Sequence, residues 1–199
     1  EQVATPEGYA RDPELVINFY NERRKQLLDV KPNRGHELLA GLEKYFNVTV
    51  ITQNVDNLHE RAGSTHIVHL HGELTKVCSS RDPNNPHYIK ELQPEEYEVR
   101  MGDRAGDGSQ FRPFIVWFGE SVPEIEMAID FVEKADIFVI IGTSMNVYPA
   151  AGLLNYVPRG AEVYLIDPKP VDTHTSRPIH VIRKGASEGV AELQKLLGV

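Results

Sequence analysis

The sequence predicts a doubly wound α/β protein, in which helices cover both faces of a parallel sheet. Short apolar runs rich in Val and Ile recur along the chain, and helical patterns lie between many of them. Strands covered on both faces have continuous apolar runs, and alternation of strand and helix is typical of parallel sheets. Ligands bind such sheets beyond the carboxyl ends of the strands, so the residues after each strand are the first site candidates.

The predicted elements follow this alternation. Strands are expected at residues 47–52, 66–70, 114–118, 137–142, 162–166 and 180–182. Helices are expected at residues 34–46, 123–135, 150–157 and 187–197. A further helix should begin at Pro13, with Asp12 as its N-cap, and run to Leu28.

Two regions do not fit the alternation and predict a smaller, inserted lobe. Residues 1–30 contain the early helix, and residues 75–112 are expected to be polar and irregular, with "RDPNNP" and "GDRAGDGSQ" as loop signals. We therefore expect residues 31–74 and 113–199 to form the main α/β domain.

Composition narrows the class of protein. The 199 residues carry a net charge of -8, which argues against a broad nucleic-acid interface. No apolar run approaches the roughly 20 residues that span a bilayer, and no signal peptide opens the sequence, so a cytoplasmic protein is expected. The single cysteine, Cys78, excludes an intramolecular disulfide and a multi-cysteine zinc site.

Polar side chains crowd the end of the first predicted strand, in "TQNVDNLHERAG". Gln53, Asn54 and Asp56 could bind a sugar or an amide, although a capping turn explains them about equally well. In "HIVHLHGEL", His69 and His71 are expected on one face of a strand that Gly72 ends. A histidine there is a candidate general base; a purely structural histidine is the common alternative, and a metal site ranks low.

Three further motifs are weaker when taken alone. Gly142-Thr143-Ser144 follows the most apolar strand and could hold a ribose or phosphate, or form only a tight turn. Tyr20 and Arg23 share a helix face and could bind a carboxylate. Alternatively, Arg23 could simply stay in solvent, which the neighbouring Arg24 and Lys25 slightly favour. "PFIVWFGE" is either a core strand or an open edge for an extended peptide.

The order of these motifs is more specific than any one of them. "TQNVDNLHERAG", "HLHGEL", "VWFGE", "GTSMNVYPAAG" and "KGASE" in succession resemble the sirtuin family of NAD-dependent protein lysine deacylases, over essentially the whole chain. The resemblance implies a Rossmann-like NAD-binding domain with a smaller lobe. It implies acyl-lysine proteins or peptides as partners, bound as an added strand, with no nucleic acid or membrane.

The resemblance also assigns roles to individual residues. His71 matches the catalytic histidine. The implied cofactor-binding residues are Gln53, Asn54, Val55, Asp56, Gly142, Thr143, Ser144, Asp167 and Ala186. The implied peptide cleft contains Gly119 and Glu120, with Val147 in the facing loop.

The implied chemistry consumes NAD. The amide oxygen of acyl-lysine attacks C1′ of the nicotinamide ribose, and nicotinamide leaves. His71 then acts as general base on a ribose hydroxyl, which yields free lysine and an O-acyl-ADP-ribose. Tyr20 and Arg23 resemble the Tyr-x-x-Arg pair of class III sirtuins, which implies a preference for succinyl or malonyl over acetyl groups.

The chain departs from the family pattern at two places. Most sirtuins carry two C-x-x-C zinc pairs, whereas serines follow Cys78 here, so no zinc is expected and the 75–112 lobe should be held by its own packing or be mobile. The family's N-terminal strand and Gly-rich loop are absent from this sequence. We expect about 35–40 further residues in the natural protein, the size of a βα unit with its loop, and activity conditional on them.

Three alternatives remain open at this point. The first is a non-catalytic NAD- or ADP-ribose-binding module. The second is a metal hydrolase that uses His66, His69 and His71. The third is a protein ADP-ribosyltransferase with the same fold.

Overall fold

The computed structural model describes residues 3–199, and the chain forms two compact units. The first holds the residues up to Lys31 together with Thr52–Asn57 and His69–Pro123. The second holds Pro32–Ile51, Leu58–Val68 and Glu124–Val199. Residues 3–30 and 75–112 thus belong to the first unit, which also includes neighbouring segments. The domain limits derived from the sequence stay a prediction.

Helices and strands alternate through much of the chain. The helices are α1 (Pro6–Arg11), α2 (Pro13–Asp29), α3 (Arg34–Gly41), α4 (Leu58–Ala62), α5 (Ile125–Val132) and α6 (Ala186–Leu197). The strands are β1 (Val50–Thr52), β2 (Ile67–His69), β3 (Gly72–Ser79), β4 (Lys90–Glu91), β5 (Phe111–Ile115), β6 (Ile137–Ile141), β7 (Glu162–Ile166) and β8 (His180–Ile182). Short 3-10 helices occupy Leu42–Lys44, Pro86–Tyr88, Pro94–Glu96 and Ala150–Tyr156.

The first unit packs α2 on an antiparallel sheet of order β4-β3-β5. The α2 helix begins as the sequence predicts, with Pro13 in its first turn and the Asp12 carboxylate accepting a hydrogen bond from the Leu15 N–H at 3.0 Å. Ile17 of α2, Val77 of β3 and Val99 form the buried cluster beneath the helix. Burial of each such side chain contributes about 1.5–3 kcal/mol.

Two predictions for this unit are wrong. The 75–112 region is not irregular throughout, because β3 extends to Ser79 and pairs with both β4 and β5. The strand predicted at 114–118 is β5, at Phe111–Ile115, and it is antiparallel to β3. The strand ends early because the Trp117 N–H donates to the Glu120 carboxylate, at 2.8 Å, rather than to another strand.

The second unit carries the parallel sheet that the sequence predicts. Strands β6, β7 and β8 are adjacent and parallel, in that order. The pair β1-β2 is hydrogen-bonded separately, and the division between the units falls within these two strands. This confirms the alternating α/β class.

One face of the three-stranded sheet is covered by α6. Tyr164, Ile166 and Ile182 of the sheet pack with Val190 and Leu193 of the helix, all of them buried. A side chain at Gly189 would place its Cβ 2.1 Å from Ile166 Cγ2, so only glycine allows this close approach of α6.

In the part of the chain that the structure describes, no helix is both long and apolar enough to cross a bilayer.

Candidate active site

Three backbone hydrogen bonds bring separate segments of the first unit together around His71. The Leu70 N–H donates to Thr52 O at 3.0 Å, and the Leu74 N–H donates to Val55 O at 2.7 Å. The Val116 N–H donates to the carbonyl of His71 itself, at 2.9 Å. The polar segment after β1 and the "WFGE" segment therefore both adjoin the turn that carries His71.

His71 lies in a turn and not on a strand. Strand β2 ends at His69, the chain turns through Leu70 and His71, and β3 begins at Gly72. The prediction that His69 and His71 share a strand face is thus wrong. Gly72 has φ +85°, and a Cβ there would lie 2.1 Å from Phe114 O, so the turn requires glycine.

The environment of His71 favours a neutral imidazole. Burial lowers the pKa of His71 from its usual value, and a hydrogen bond to the backbone of Gln53 partly opposes this. The bond favours the protonated ring, so the Gln53 carbonyl acts as acceptor and fixes the ring's orientation. A neutral, half-buried and oriented imidazole is suited to act as a general base near pH 7.

The polar segment after β1 contains a local turn and one buried polar atom without a partner in the described part of the chain. The Asn54 N–H donates to Thr52 Oγ1 at 3.0 Å, so part of the segment is a local turn. The amide oxygen of Asn57 is buried without a hydrogen-bond partner among residues 3–199. A buried polar atom without a partner destabilises the fold unless a ligand satisfies it, which fits a binding segment.

Helix α2 places Tyr20 and Arg23 one turn apart with Phe19 against both. The rings of Phe19 and Tyr20 are 5.1 Å apart, and the Arg23 guanidinium lies 5.0 Å from the centre of the Phe19 ring. Tyr20 is buried, whereas Arg23 is exposed and donates only to the uncharged Gln26, at 3.2 Å. Their shared location on α2 agrees with the sequence; their role stays a prediction.

Arg24, next to Arg23 in the chain, is buried. It is 3% exposed and donates to Tyr97 O at 2.7 Å and to Asn21 Oδ1 at 2.7 Å. Asn21 in turn bonds both backbone groups of Val99. Burial lowers the pKa of Arg24 to about 10, so it stays charged at pH 7 and fastens α2 to the 97–99 segment.

The "WFGE" segment is a tight turn held by a buried ion pair. The Arg112 guanidinium bonds both oxygens of Glu120, at 2.7 and 3.0 Å, and it lies 3.5 Å from the centre of the Trp117 ring. Burial raises the pKa of Glu120, but the hydrogen bonds from Arg112 and the Trp117 N–H outweigh it and lower the pKa overall. Phe118 and Gly119 at the tip are exposed, and the Phe118 N–H donates to Ala4 O at 3.0 Å.

This geometry limits what Glu120 can contribute to a peptide cleft. Both of its oxygens are already engaged within the turn. Its carboxylate therefore shapes the segment, and the exposed tip at Gly119, φ +90° with open space around it, is the part accessible to a ligand.

The second unit presents its candidate residues after parallel strands. Gly142 follows β6 with φ +61° and open space on its Cβ side, and its N–H donates to Ile166 O at 3.0 Å. Asp167 follows β7, and one of its oxygens accepts from the Lys169 N–H at 2.7 Å. These two residues are adjacent at the carboxyl edge, where nucleotides bind such sheets.

The remaining candidates lie around this edge. Thr143 accepts from the Met145 N–H, Ser144 and Val147 are exposed in the following loop, and Ala186 is the first residue of α6. Small residues, an open backbone and a carboxylate fit the ribose and phosphates of a dinucleotide.

The 75–112 segment does not offer a zinc site of the family's kind. Cys78 is fully buried, and burial raises the pKa of its thiol to about 12, so it is a poor metal ligand. The neighbouring Ser79 instead donates to Asp107 at 2.6 Å, and Ser109 donates to the same carboxylate at 2.7 Å. These bonds connect the end of β3 to the 104–110 segment; the absence of zinc stays a prediction.

Sequence reasoning did not single out Arg112, Trp117 or Asn57. Arg112 precedes an apolar run, and Trp117 reads as one more core residue within it. The sequence does contain a signal for the ion pair, because Arg112 and Glu120 lie at the two ends of one apolar segment. A charged residue seldom lies in a core without a partner, so the two could have been expected to pair.

Parallel strands that are followed by small and acidic residues at their carboxyl ends are typical of nucleotide-binding α/β proteins. The family model of the Sir2 family matches residues 1–149. A protein of Bacteroides thetaiotaomicron named NAD-dependent protein deacylase is 87% identical over 197 residues, which are 99% of this chain and 84% of the relative. The chain belongs to the Sir2 family, and the predicted resemblance to sirtuins is confirmed.

Solved structures agree with this membership. The crystal structure of a Sir2 homolog–NAD complex matches with a TM-score of 0.83 and 35% identity, over 99% of this chain and 78% of that one. A Sir2 bound to acetylated peptide matches with a TM-score of 0.83 and 27% identity, over 99% of this chain and 84% of the other.

Proposed function

We propose that this chain is an NAD-dependent protein-lysine deacylase that removes succinyl and malonyl groups in preference to acetyl groups. Family membership and the name of the 87% identical relative support the deacylase reaction. The preference for acidic acyl groups rests on one observation. The exposed Arg23 guanidinium lies one helical turn from the Tyr20 phenol, and within residues 3–199 no carboxylate pairs with it.

NAD supplies the ribose that accepts the acyl group and the nicotinamide that leaves. The chain's own contribution begins with His71. Its neutral imidazole takes a proton from a ribose hydroxyl, and the Gln53 carbonyl holds the ring while it does so. Gln53, Asn54, Val55 and Asp56, adjoining the His71 turn, would hold the nicotinamide ribose. Gly142, Thr143, Ser144, Asp167 and Ala186 would hold the rest of the dinucleotide.

The acyl-lysine peptide would lie along the Trp117–Glu120 turn as an added strand, and Val147, in the loop after β6, is the further residue proposed to contact it. The exposed Phe118–Gly119 tip offers backbone and apolar surface for it. The Arg112–Glu120 pair keeps the turn rigid before the peptide arrives, so little conformational entropy is lost on binding.

A carboxylate at the end of the acyl chain gives Arg23 the anionic partner that it lacks. A charge-assisted hydrogen bond contributes about 1.5–3 kcal/mol, which corresponds to roughly 10- to 150-fold in kcat/KM. An acetyl group ends in a methyl and gains nothing from Arg23.

The test is Arg23→Met, compared with Lys25→Met on the same helix. Both side chains are exposed, so neither change should unfold the protein. R23M should lose the preference for succinyl-lysine and keep deacetylation, while K25M keeps both. Unchanged selectivity in R23M would refute the assignment of the acyl preference.

A further inference from the structure

The indole N–H of Trp117 donates a hydrogen bond to the phenol oxygen of Tyr20, at 3.1 Å. Both side chains are deeply buried, Trp117 at 2% exposure and Tyr20 at 6%. The bond joins α2 to the turn that adjoins the His71 carbonyl through Val116.

The direction of this bond is fixed by chemistry. An indole N–H can only donate, so the Tyr20 oxygen must accept, and its own proton must point elsewhere. Within residues 3–199 the Tyr20 hydroxyl accepts this bond and donates none of its own. Burial raises the pKa of Tyr20, so the phenol stays protonated and remains a donor at neutral pH.

Trp117 is itself held from several sides. The Arg112 guanidinium stacks on its ring at 3.5 Å, and the Tyr9 ring lies 5.3 Å away on a tilted plane. Its backbone N–H is fixed by Glu120. These contacts hold the indole in one orientation. Because its N–H donates to the Tyr20 oxygen, the indole also determines the direction in which the Tyr20 O–H points.

We infer that Trp117 is a positioning residue that aims the Tyr20 O–H at the terminal carboxylate of an acidic acyl-lysine. The inference rests on the proposed acyl preference and extends it. Without the indole donor, the phenol could rotate its proton away from the substrate. With it, the hydroxyl is presented as a donor before binding, one helical turn from Arg23 on α2.

The test is a double-mutant cycle with Trp117→Phe and Tyr20→Phe, assayed with succinyl-lysine and acetyl-lysine peptides of one sequence. W117F changes the peptide-binding turn and is expected to weaken both peptides, so the readout is the ratio of kcat/KM for the succinyl peptide to kcat/KM for the acetyl peptide. This ratio should fall by roughly tenfold, the effect of one hydrogen bond to a charged group. In the Y20F background, W117F should add less than about twofold.

Tyr9→Phe is the matched control, since it trims another aromatic side chain that packs on Trp117 but leaves the Tyr20 bond intact. It should leave the selectivity unchanged. Equal effects of W117F on both peptides, or additive effects in the cycle, would overturn the inference.

A second readout needs no substitution. Trp117 is the only tryptophan in the sequence, so the indole N–H gives a single resonance in a ¹H–¹⁵N spectrum. The succinyl peptide should shift this resonance more than the acetyl peptide does, and equal shifts would count against the inference. If the wild-type protein turned over both peptides equally, the proposed acyl preference itself would fail; a wild-type preference with an additive cycle would overturn the positioning role alone.

Discussion

Removal of the Arg112 guanidinium, by Arg112→Met, should strongly destabilise the first unit. The side chain is 6% exposed and bonds both oxygens of Glu120, whose side chain is 23% exposed. It also donates to Ile115 O at 2.8 Å and stacks on Trp117. Met fills much of the volume but leaves the Glu120 carboxylate with the Trp117 N–H as its remaining partner in this turn.

The expected cost is about 3–5 kcal/mol, the range for breaking a buried pair by removing one partner. That is a large part of the 5–15 kcal/mol that typically stabilises a domain. With a urea m-value of about 2 kcal/mol/M, the midpoint of unfolding should fall by roughly 1.5–2.5 M.

The matched control is Arg100→Met. Arg100 pairs with Glu98 at 2.9 Å, but the two side chains are 76% and 53% exposed. An exposed pair contributes about 0–1 kcal/mol, so this variant should unfold close to the wild type. If R112M and R100M lowered the midpoint equally, the structural role given to the buried pair would be refuted.

Three further predictions concern the histidine, the polar network and the turn. The pH profile of kcat/KM should fall on the acid side as His71 protonates, with a midpoint below 6.5, because burial lowers its pKa; a midpoint above 6.5 would contradict this environment. Hydrogen bonds from Ser79 and Ser109 lower the pKa of Asp107 to about 2. The lowered pKa stabilises the fold above pH 4, and this contribution is lost as pH falls toward 2, so Asp107→Asn should reduce that loss in urea titrations. Gly72→Ala should lower Tm by several degrees in a thermal melt, because its Cβ would collide with Phe114 O at φ +85°; an unchanged Tm would disprove the collision.

The sequence predicts the parallel half of the fold well because its signals are local. Strands β7 and β8 have the predicted limits, and β6 differs by one residue. Each is a short apolar run bounded by polar residues. The N-cap Asp12 and Pro13 likewise define the start of α2 by short-range chemistry.

The errors arise where tertiary contacts override local pattern. Gly72 reads as the end of a strand, yet its close approach to Phe114 makes it the first residue of β3. The burial of Arg24 depends on acceptors such as Tyr97 O, which lies 73 positions away in the chain and leaves no local signal. The hydrophobic periodicity of the sequence likewise does not predict the contact between Arg112 and Trp117.

The candidate site was predictable in outline and not in its internal hydrogen bonding. Motif order led to His71 and to the polar segment that adjoins it. Motif order did not show that the Glu120 carboxylate accepts hydrogen bonds from Arg112, or that the Trp117 indole donates to Tyr20. Those roles depend on which atoms meet in three dimensions.

Nicotinamide release from NAD, measured with succinyl-lysine and acetyl-lysine peptides of identical sequence, tests both the deacylase reaction and the acyl preference. We predict release that depends on an acylated peptide, with kcat/KM roughly tenfold or more higher for the succinyl peptide. Equal or faster turnover of the acetyl peptide would contradict the acyl preference. Absence of release with either peptide when the expected N-terminal residues are included, or retention of the ADP-ribose label on the protein, would contradict the deacylase reaction itself.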